Sequence, residues 1–148
     1  MEFATTEAHE IPLSLLLEAD PSETSIEAYL SNAWCFTAQE HNQCVGACVF
    51  QPLSKTAAEL CNISIKADRQ AQGIGTQLLR YALKELAVRG IRQVELGTGT
   101  FGHQLAFYQR LGFRVDSVVK NHFLDNYPDP IFENGIQHKD MLRLCLNL

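Results

Sequence analysis

The stretch Gln70-Ala71-Gln72-Gly73-Ile74-Gly75 joins a strand-like run to a helix-like one. Two glycines at such a junction let the backbone approach a ligand closely. The first amides of the helix that follows have no partner inside it. The turn is therefore suited to hold an anion, a phosphate above all, at the positive end of a helix. Two common phosphate binders do not fit the spacing. A P-loop needs a lysine directly after its last glycine, but Thr76 follows Gly75 and no lysine is near. A dinucleotide turn needs a third glycine three residues after the second, and that place holds Leu78.

Other reactive side chains form no such group. His9, His41, His103, His122 and His138 lack zinc-ligand spacing, so no metal is expected. Cys35, Cys44, Cys48, Cys61 and Cys145 are odd in number and contain no CxxC pair. They read as reduced core residues in a reducing compartment. Cys44 and Cys48, four apart in an apolar run, have the spacing of one strand face.

The chain of 148 residues carries a formal net charge of -5. Its length suits one domain, residues 1–148, with a core that needs no staples. The charge argues against a nucleic-acid partner, which calls for a basic face, and leaves room for a cationic one. The start "MEFATTEAHE" is polar and acidic, unlike a signal peptide. No apolar run approaches membrane-spanning length. A cytoplasmic protein is expected.

The elements that must position the glycine turn follow from periodicity. Met1 to Thr6 is a weak strand. "IPLSLLLEAD" and "PSETSIEAYLS" read as helices, with Ser22 an N-cap for the second. "WCFTAQ" and "CVGACVFQ" form a hairpin around "EHNQ". In "AELCNISIK", alternation puts Glu59, Cys61, Ile63 and Ile65 on one face, and Leu60, Asn62 and Ser64 on the other. After the turn, Ile74, Leu78, Ala82 and Leu86 lie four apart, with Leu79 and Leu83 beside them, in an amphipathic helix. Glu85 and Arg89 are spaced for an i,i+4 pair, and Gly90 for a helix stop. "IRQVELGTG" reads as a strand, "HQLAFYQRLG" as a short helix, and "FRVDSVVKNHFL" and "HKDMLRLCL" as two strands. A long connection, "DNYPDPIFENGIQ", joins the last two. The order is that of a mixed α/β domain in which parallel strands flank a crossover helix.

Residues Glu59 to Phe113 resemble the core of the GNAT superfamily of acyl-CoA N-acyltransferases. The resemblance rests on the strand "AELCNISIK", on "QAQGIG" as the family's [Q/R]-x-x-G-x-[G/A], on the helix after it, and on "LAFYQRLGF". "PIFENGI" is similar to a segment of a small bacterial acetyltransferase subgroup. The resemblance covers about a third of the chain. It implies a GNAT fold: a mixed central sheet with a splayed pair of parallel strands and about four helices. It also implies acetyl-CoA as cosubstrate, with the pyrophosphate on the turn of Ala71, Gln72, Gly73, Ile74, Gly75 and Thr76, and the pantetheine arm along Ile63, Ser64 and Ile65. The strand "VELGTG" is then splayed away, and Gly97 and Gly99 suit a strand that leaves its ladder.

Acetyl transfer to an amine makes three demands. The ammonium must lose a proton, the tetrahedral oxyanion needs a donor, and the departing thiolate needs a proton. The resemblance implies Tyr108 as the acid, also in contact with the cofactor; a phenol, with a reference pKa of ~10, carries its proton at neutral pH. Two glutamates compete as base, and the resemblance equally allows the amine proton to leave through water. Glu59 stands fourteen residues before Gly73, as does the catalytic glutamate of the histone-acetylating branch. Apolar company on its strand face raises a carboxylate pKa. Glu95 lies on the strand where other members carry a base, but one residue from the matching place, Leu96. The asparagine that many relatives carry seven residues before the tyrosine is here Phe101; Thr98, Thr100 and Gln104 are the nearby polar replacements.

The acceptor is expected to be an amine, a small molecule or a peptide, and a homodimer is left open. In the connection from Asp125 to Gln137, Asp125, Asp129 and Glu133 can attract an ammonium, with Tyr127 and Phe132 as walls. The same loop can instead be a rim that packs Ile131 and Phe132 onto the core. Direct transfer in a ternary complex is expected, Cys61 lacking a neighbouring histidine in sequence. The reading from another class is a non-catalytic acyl-CoA sensor on the same scaffold.

Overall fold

A computed structural model describes residues 1–148. Its chain order is β1 (Glu2–Thr6), α1 (Leu13–Leu17), α2 (Glu23–Leu30), β2 (Trp34–Glu40), β3 (Gln43–Pro52), β4 (Ala57–Ile65) and α3 (Ile74–Val88). Then come β5 (Gln93–Gly99), α4 (His103–Arg110), β6 (Arg114–Val119), α5 (His122–Asn126), β7 (Phe132–Glu133), β8 (Ile136–Gln137) and β9 (Met141–Asn147). Seven strands form one sheet in the order β1-β2-β3-β4-β5-β9-β6, and β7 and β8 make a separate small hairpin. Only β4 and β5 are parallel. A parallel pair needs a crossover, and α3 supplies it. No helix is long and apolar enough to cross a membrane.

The β4–β5 ladder runs only from Ala57↔Gln93 to Leu60↔Leu96. Beyond Leu60 and Leu96 the two strands part, and the expected splay is present. Both faces of the sheet are covered. On one, Leu78, Leu79, Ala82 and Leu86 of α3 are fully buried against Phe36, Cys48, Phe50 and Leu96; each large side chain so buried contributes about 1.5–3 kcal/mol. On the other, Leu15 and Leu16 of α1 and Ile26 of α2 cover Cys35, Ala47 and Val49. Ser22 caps α2, its Oγ accepting from Ser25 N–H at 3.1 Å.

Glycines end both site helices with the same lock. After α3, Gly90 takes φ +94°; its N–H donates to the Ala87 carbonyl, and Ile91 N–H to that of Leu86. After α4, Gly112 takes φ +100° and donates to Gln109, and Phe113 donates to the Tyr108 carbonyl at 3.1 Å. This is the Schellman arrangement with its apolar contact. In "YQRLGF" that contact is Phe113 against Tyr108, ring centroids 5.9 Å apart. The lock therefore fixes the position of Tyr108 itself.

Several sequence expectations need correction. A β-bulge at Cys61 sets Leu60 opposite Phe50 and Asn62 opposite Val49. The extra residue reverses the alternation. Ala58 and Leu60 face α3, as do Ile63 and Ile65, while Asn62 donates to the Leu16 carbonyl on the other side. Glu59 is therefore not on the face of Ile63 and Ile65. A second bulge, at Val45, puts Cys44 and Cys48 on opposite faces. Cys44, Cys61 and Cys145 are only partly buried; all five cysteines are free. "FRVDSVVKNHFL" is a strand only to Val119; Asn121 turns the chain at φ +61°, and His122 begins α5. Arg89 lies over the rings of Trp34 and Phe36, at 5.7 and 5.3 Å, rather than on Glu85.

Candidate active site

The parting of β4 from β5 leaves two hollows. The first, a cleft of about 550 Å3, is lined by Ile63, Ser64 and Ile65 from β4, by the turn from Gln70 to Thr76, and by Phe107, Tyr108 and Arg110 of α4. Gly73 takes φ +81° to enter α3 and offers no side-chain cap. The first α3 amide bonded to backbone is that of Gln77, donating to Gly73. The amides of Ile74, Gly75 and Thr76 ahead of it have no backbone acceptor, so they face the cleft as an anion site. Ala71 also has positive φ, +60°, and the Gln70 side-chain Nε2 donates to the Ile65 carbonyl at 3.0 Å, tying the turn to the end of β4.

Tyr108 is buried at 7% exposure and lines this cleft. Burial first, then the neighbouring Cys48, pushes its phenol above the ordinary tyrosine value. It stays protonated at neutral pH.

The second hollow, about 400 Å3, lies between the ends of β5 and β9, α5 and the β7–β8 hairpin. Its wall includes Cys61, Thr98, Phe101, His122, Phe123, Tyr127, Phe132, Glu133 and His138, with Asp20 from the α1–α2 turn. Ala19, His103 and Gln104 line both hollows. The two therefore meet at the start of α4.

Glu133 joins the hairpin to that point. Its Oε1 accepts from His138 Nε2 at 2.9 Å, and its Oε2 lies 3.4 Å from His103 Nδ1. These donors, with the His103 backbone, hold its carboxyl below the usual range, His138 having the largest effect. Gly102, at φ +107°, lies directly beneath; a Cβ there would strike the carboxylate. Glu133 thus occupies the N-terminus of α4, where Gly102 supplies no cap. His138 is buried, with Nδ1 unpartnered, and stacks on Phe101 at 4.1 Å. The hairpin turns on Asn134 and Gly135, both at positive φ, the pair favoured by a two-residue turn.

The sequence-level site residues divide between these hollows and the sheet. Ile63, Ser64, Ile65, Ala71, Gly73, Ile74, Gly75, Thr76 and Tyr108 line the cleft; Gln72 belongs to the same turn, its side chain donating to Asp68 at 3.4 Å. Glu59 and Glu95 line neither hollow. They are register partners on the face away from α3, and both hold Arg143, at 2.8 and 3.5 Å. The company of Glu59 is a guanidinium, not the apolar face expected. Of the three loop acids, only Glu133 reaches the second hollow; Asp125 and Asp129 are exposed. Phe132 is 59% exposed, so it rims the cavity rather than packing onto the core. Asp20, His122, Phe123 and His138 escaped the sequence reading. Only the Asn134-Gly135 pair signalled the hairpin that gathers some of them.

Residues 31–115 match the model of the acetyltransferase (GNAT) domain. The chain is 39% identical over 135 residues to the uncharacterized N-acetyltransferase YvbK of Bacillus subtilis, covering 90% of this chain and 87% of that protein. The chain belongs to the GNAT acetyltransferase family. Its fold matches that of a GNAT family acetyltransferase from Elizabethkingia anophelis with acetyl-CoA bound. The TM-score is 0.94 and the identity 38%, covering 99% of this chain and 97% of that one. A B. subtilis acetyltransferase in complex with CoA matches with a TM-score of 0.90 at 36% identity, covering 99% and 98%. The chain is thus an N-acetyltransferase that uses acetyl-CoA as cosubstrate. The unpartnered amides and narrow turn of the cleft fit a diphosphate.

Proposed function

We propose that the chain transfers acetyl directly from acetyl-CoA to a primary amine while both are bound. The observation that carries this reading is the meeting of the two hollows at Ala19, His103 and Gln104, beside the helix that bears Tyr108. The amides of the turn from Ala71 to Thr76 hold the diphosphate, and Ile63, Ser64 and Ile65 guide the pantetheine arm. The amine nitrogen attacks the thioester carbonyl carbon, forming the C–N bond. The C–S bond breaks and the thiolate leaves with its electron pair. Tyr108 gives the thiolate a proton and recovers one from solvent. Before the attack the ammonium gives one proton to water in the acceptor cavity, and after the C–N bond has formed the nitrogen gives up a second one there, leaving the neutral amide. Glu59 and Glu95, outside that cavity, are assigned with Arg143 to hold β4, β5 and β9 in register.

A covalent acetyl-cysteine route is disfavoured. Cys61 does line the acceptor cavity, but burial, and then Glu59, pushes its thiol up to about 12, and the thiolate is the nucleophile. Initial velocities at several fixed acetyl-CoA concentrations test the reading. Double-reciprocal lines that intersect, with activity retained in Cys61→Ala, are expected. Parallel lines, with activity lost in a folded Cys61→Ala, overturn direct transfer.

A further inference from the structure

We propose that the acceptor is a small monoamine on a flat apolar body, an arylalkylamine being the class that fits. Its ring lies among Phe101, Phe123, Tyr127 and Phe132, and its nitrogen beside Glu133. This rests on the acetyl-transfer reading and names the substrate of the same site.

Three observations converge. The cavity, about 400 Å3, is near the small end for ligand sites. Its wall is rich in rings, which hold one another in place. Phe123 and Tyr127 stand 5.9 Å apart at 32°, and Phe101 is held flat on His138 at 8°. Offset and edge contacts reward another ring in such a slot. Phe132, 59% exposed at the mouth, is uncovered until something apolar lies on it.

Charge sets the other end of the ligand. No lysine or arginine lines the cavity, whereas Asp20 and Glu133 do. Both carboxylates already have partners, Asp20 in Ser22 N–H at 3.0 Å and Tyr29 O–H at 3.2 Å, and Glu133 in His138 at 2.9 Å and His103 at 3.4 Å. Each oxygen keeps a second lone pair, and position separates the two. Glu133 lies against His103, one of the residues common to both hollows. The negative charge nearest the transfer point is therefore a single carboxylate, matched to one ammonium. A polyamine or an aminoglycoside carries several ammonium groups, each calling for its own carboxylate or acceptor, where this wall offers rings.

The test measures thiol release from acetyl-CoA by the full chain. 2-Phenylethylamine and tryptamine are compared with spermidine, kanamycin and an alanine-led tripeptide. The arylalkylamines should exceed the others in kcat/KM by at least about tenfold, the smallest discrimination such a pocket usually gives. In Phe132→Ala, whose side chain is exposed and whose folding a thermal melt checks, KM for 2-phenylethylamine should rise about tenfold with CoA affinity unchanged. An unchanged KM overturns the placement of the ring. Faster turnover of spermidine, kanamycin or the peptide overturns the substrate class while acetyl transfer stands. Acetyl-CoA binding with no thiol release on adding any of the amines overturns both.

Discussion

The two hollows, which we assign to cofactor and acceptor, share Ala19, His103 and Gln104 but are built from different materials. The cleft presents backbone: the free amides of Ile74 to Thr76 and the detached end of β4. The cavity presents side chains, gathered from segments between Ala19 and Met141. Backbone recognition constrains few residue types, chiefly glycines where φ is positive or the ligand comes close. Side-chain recognition lets every wall position adjust the substrate. On the proposed assignment, one hollow is thus fixed for a common cosubstrate, and the other is free to specialise.

The sharpest way to break this contrast is to damage the backbone site alone. A Cβ at Gly75 would meet Phe107 and Ile65 no closer than 3.6 Å, an ordinary contact, so Gly75→Asp should fold. Its carboxylate would oppose a diphosphate at the helix end. Calorimetry should find CoA affinity lost and turnover lost with it. Unchanged CoA affinity would place the phosphate site elsewhere. Next in size is Tyr108→Phe, which keeps the ring against Phe113 and removes the hydroxyl. Turnover should fall about 10²–10⁴-fold, the usual share of general acid catalysis, with CoA affinity kept. A variant retaining most of its rate would reduce Tyr108 to packing.

The same contrast explains what was legible in the sequence. QAQGIG is local, because consecutive amides of one turn make the site, and α3 announces itself by its period. The place of Tyr108 in the cleft was legible through the resemblance of "LAFYQRLGF" to the family, and the structure adds that Gly112 and Phe113 lock that tyrosine in place. The acceptor cavity was not legible. Glu133 and His138 meet only because a hairpin folds back on α4, and Asp20 arrives from the far end of the chain. The register of Glu59 failed for a different reason. A β-bulge at Cys61 inserts one residue into a regular alternation, and neither its size nor its polarity marks it.

A smaller effect tests the acceptor side through stability. Glu133 has its pKa lowered in the folded state, by His138 first. The unfolded reference lies at about 4.3. A depressed folded value gives stability that is present above the unfolded pKa and lost as pH falls through the folded one. Glu133→Gln should therefore melt below the parent protein at neutral pH, and the gap should close as pH drops below about 4. Melting curves from pH 7 to about pH 3 measure it. A gap independent of pH would mean that the hairpin is held by packing rather than by this carboxylate.

The least effect is expected at the ion cluster on the sheet, outside both hollows. Arg143 bridges Glu59 at 2.8 Å and Glu95 at 3.5 Å, and its side chain is 21% exposed. Glu59→Gln removes the shorter charge pair but leaves Glu95 as a partner for the guanidinium. A partly exposed pair of this kind contributes about 1 kcal/mol, which for a domain of this size lowers Tm by about 2–4 °C. Glu95→Gln, acting at the longer contact, should cost less. If the amine proton leaves through the acceptor cavity, the pH–rate profile of Glu59→Gln keeps its shape and kcat changes by less than about threefold. A different result would reach further. A steep loss at neutral pH, recovered as rising pH delivers neutral amine, would make Glu59 the base. The acceptor cavity would then have to open past Cys61 toward Arg143, and the boundary between site and scaffold would move one strand pair deeper into the sheet.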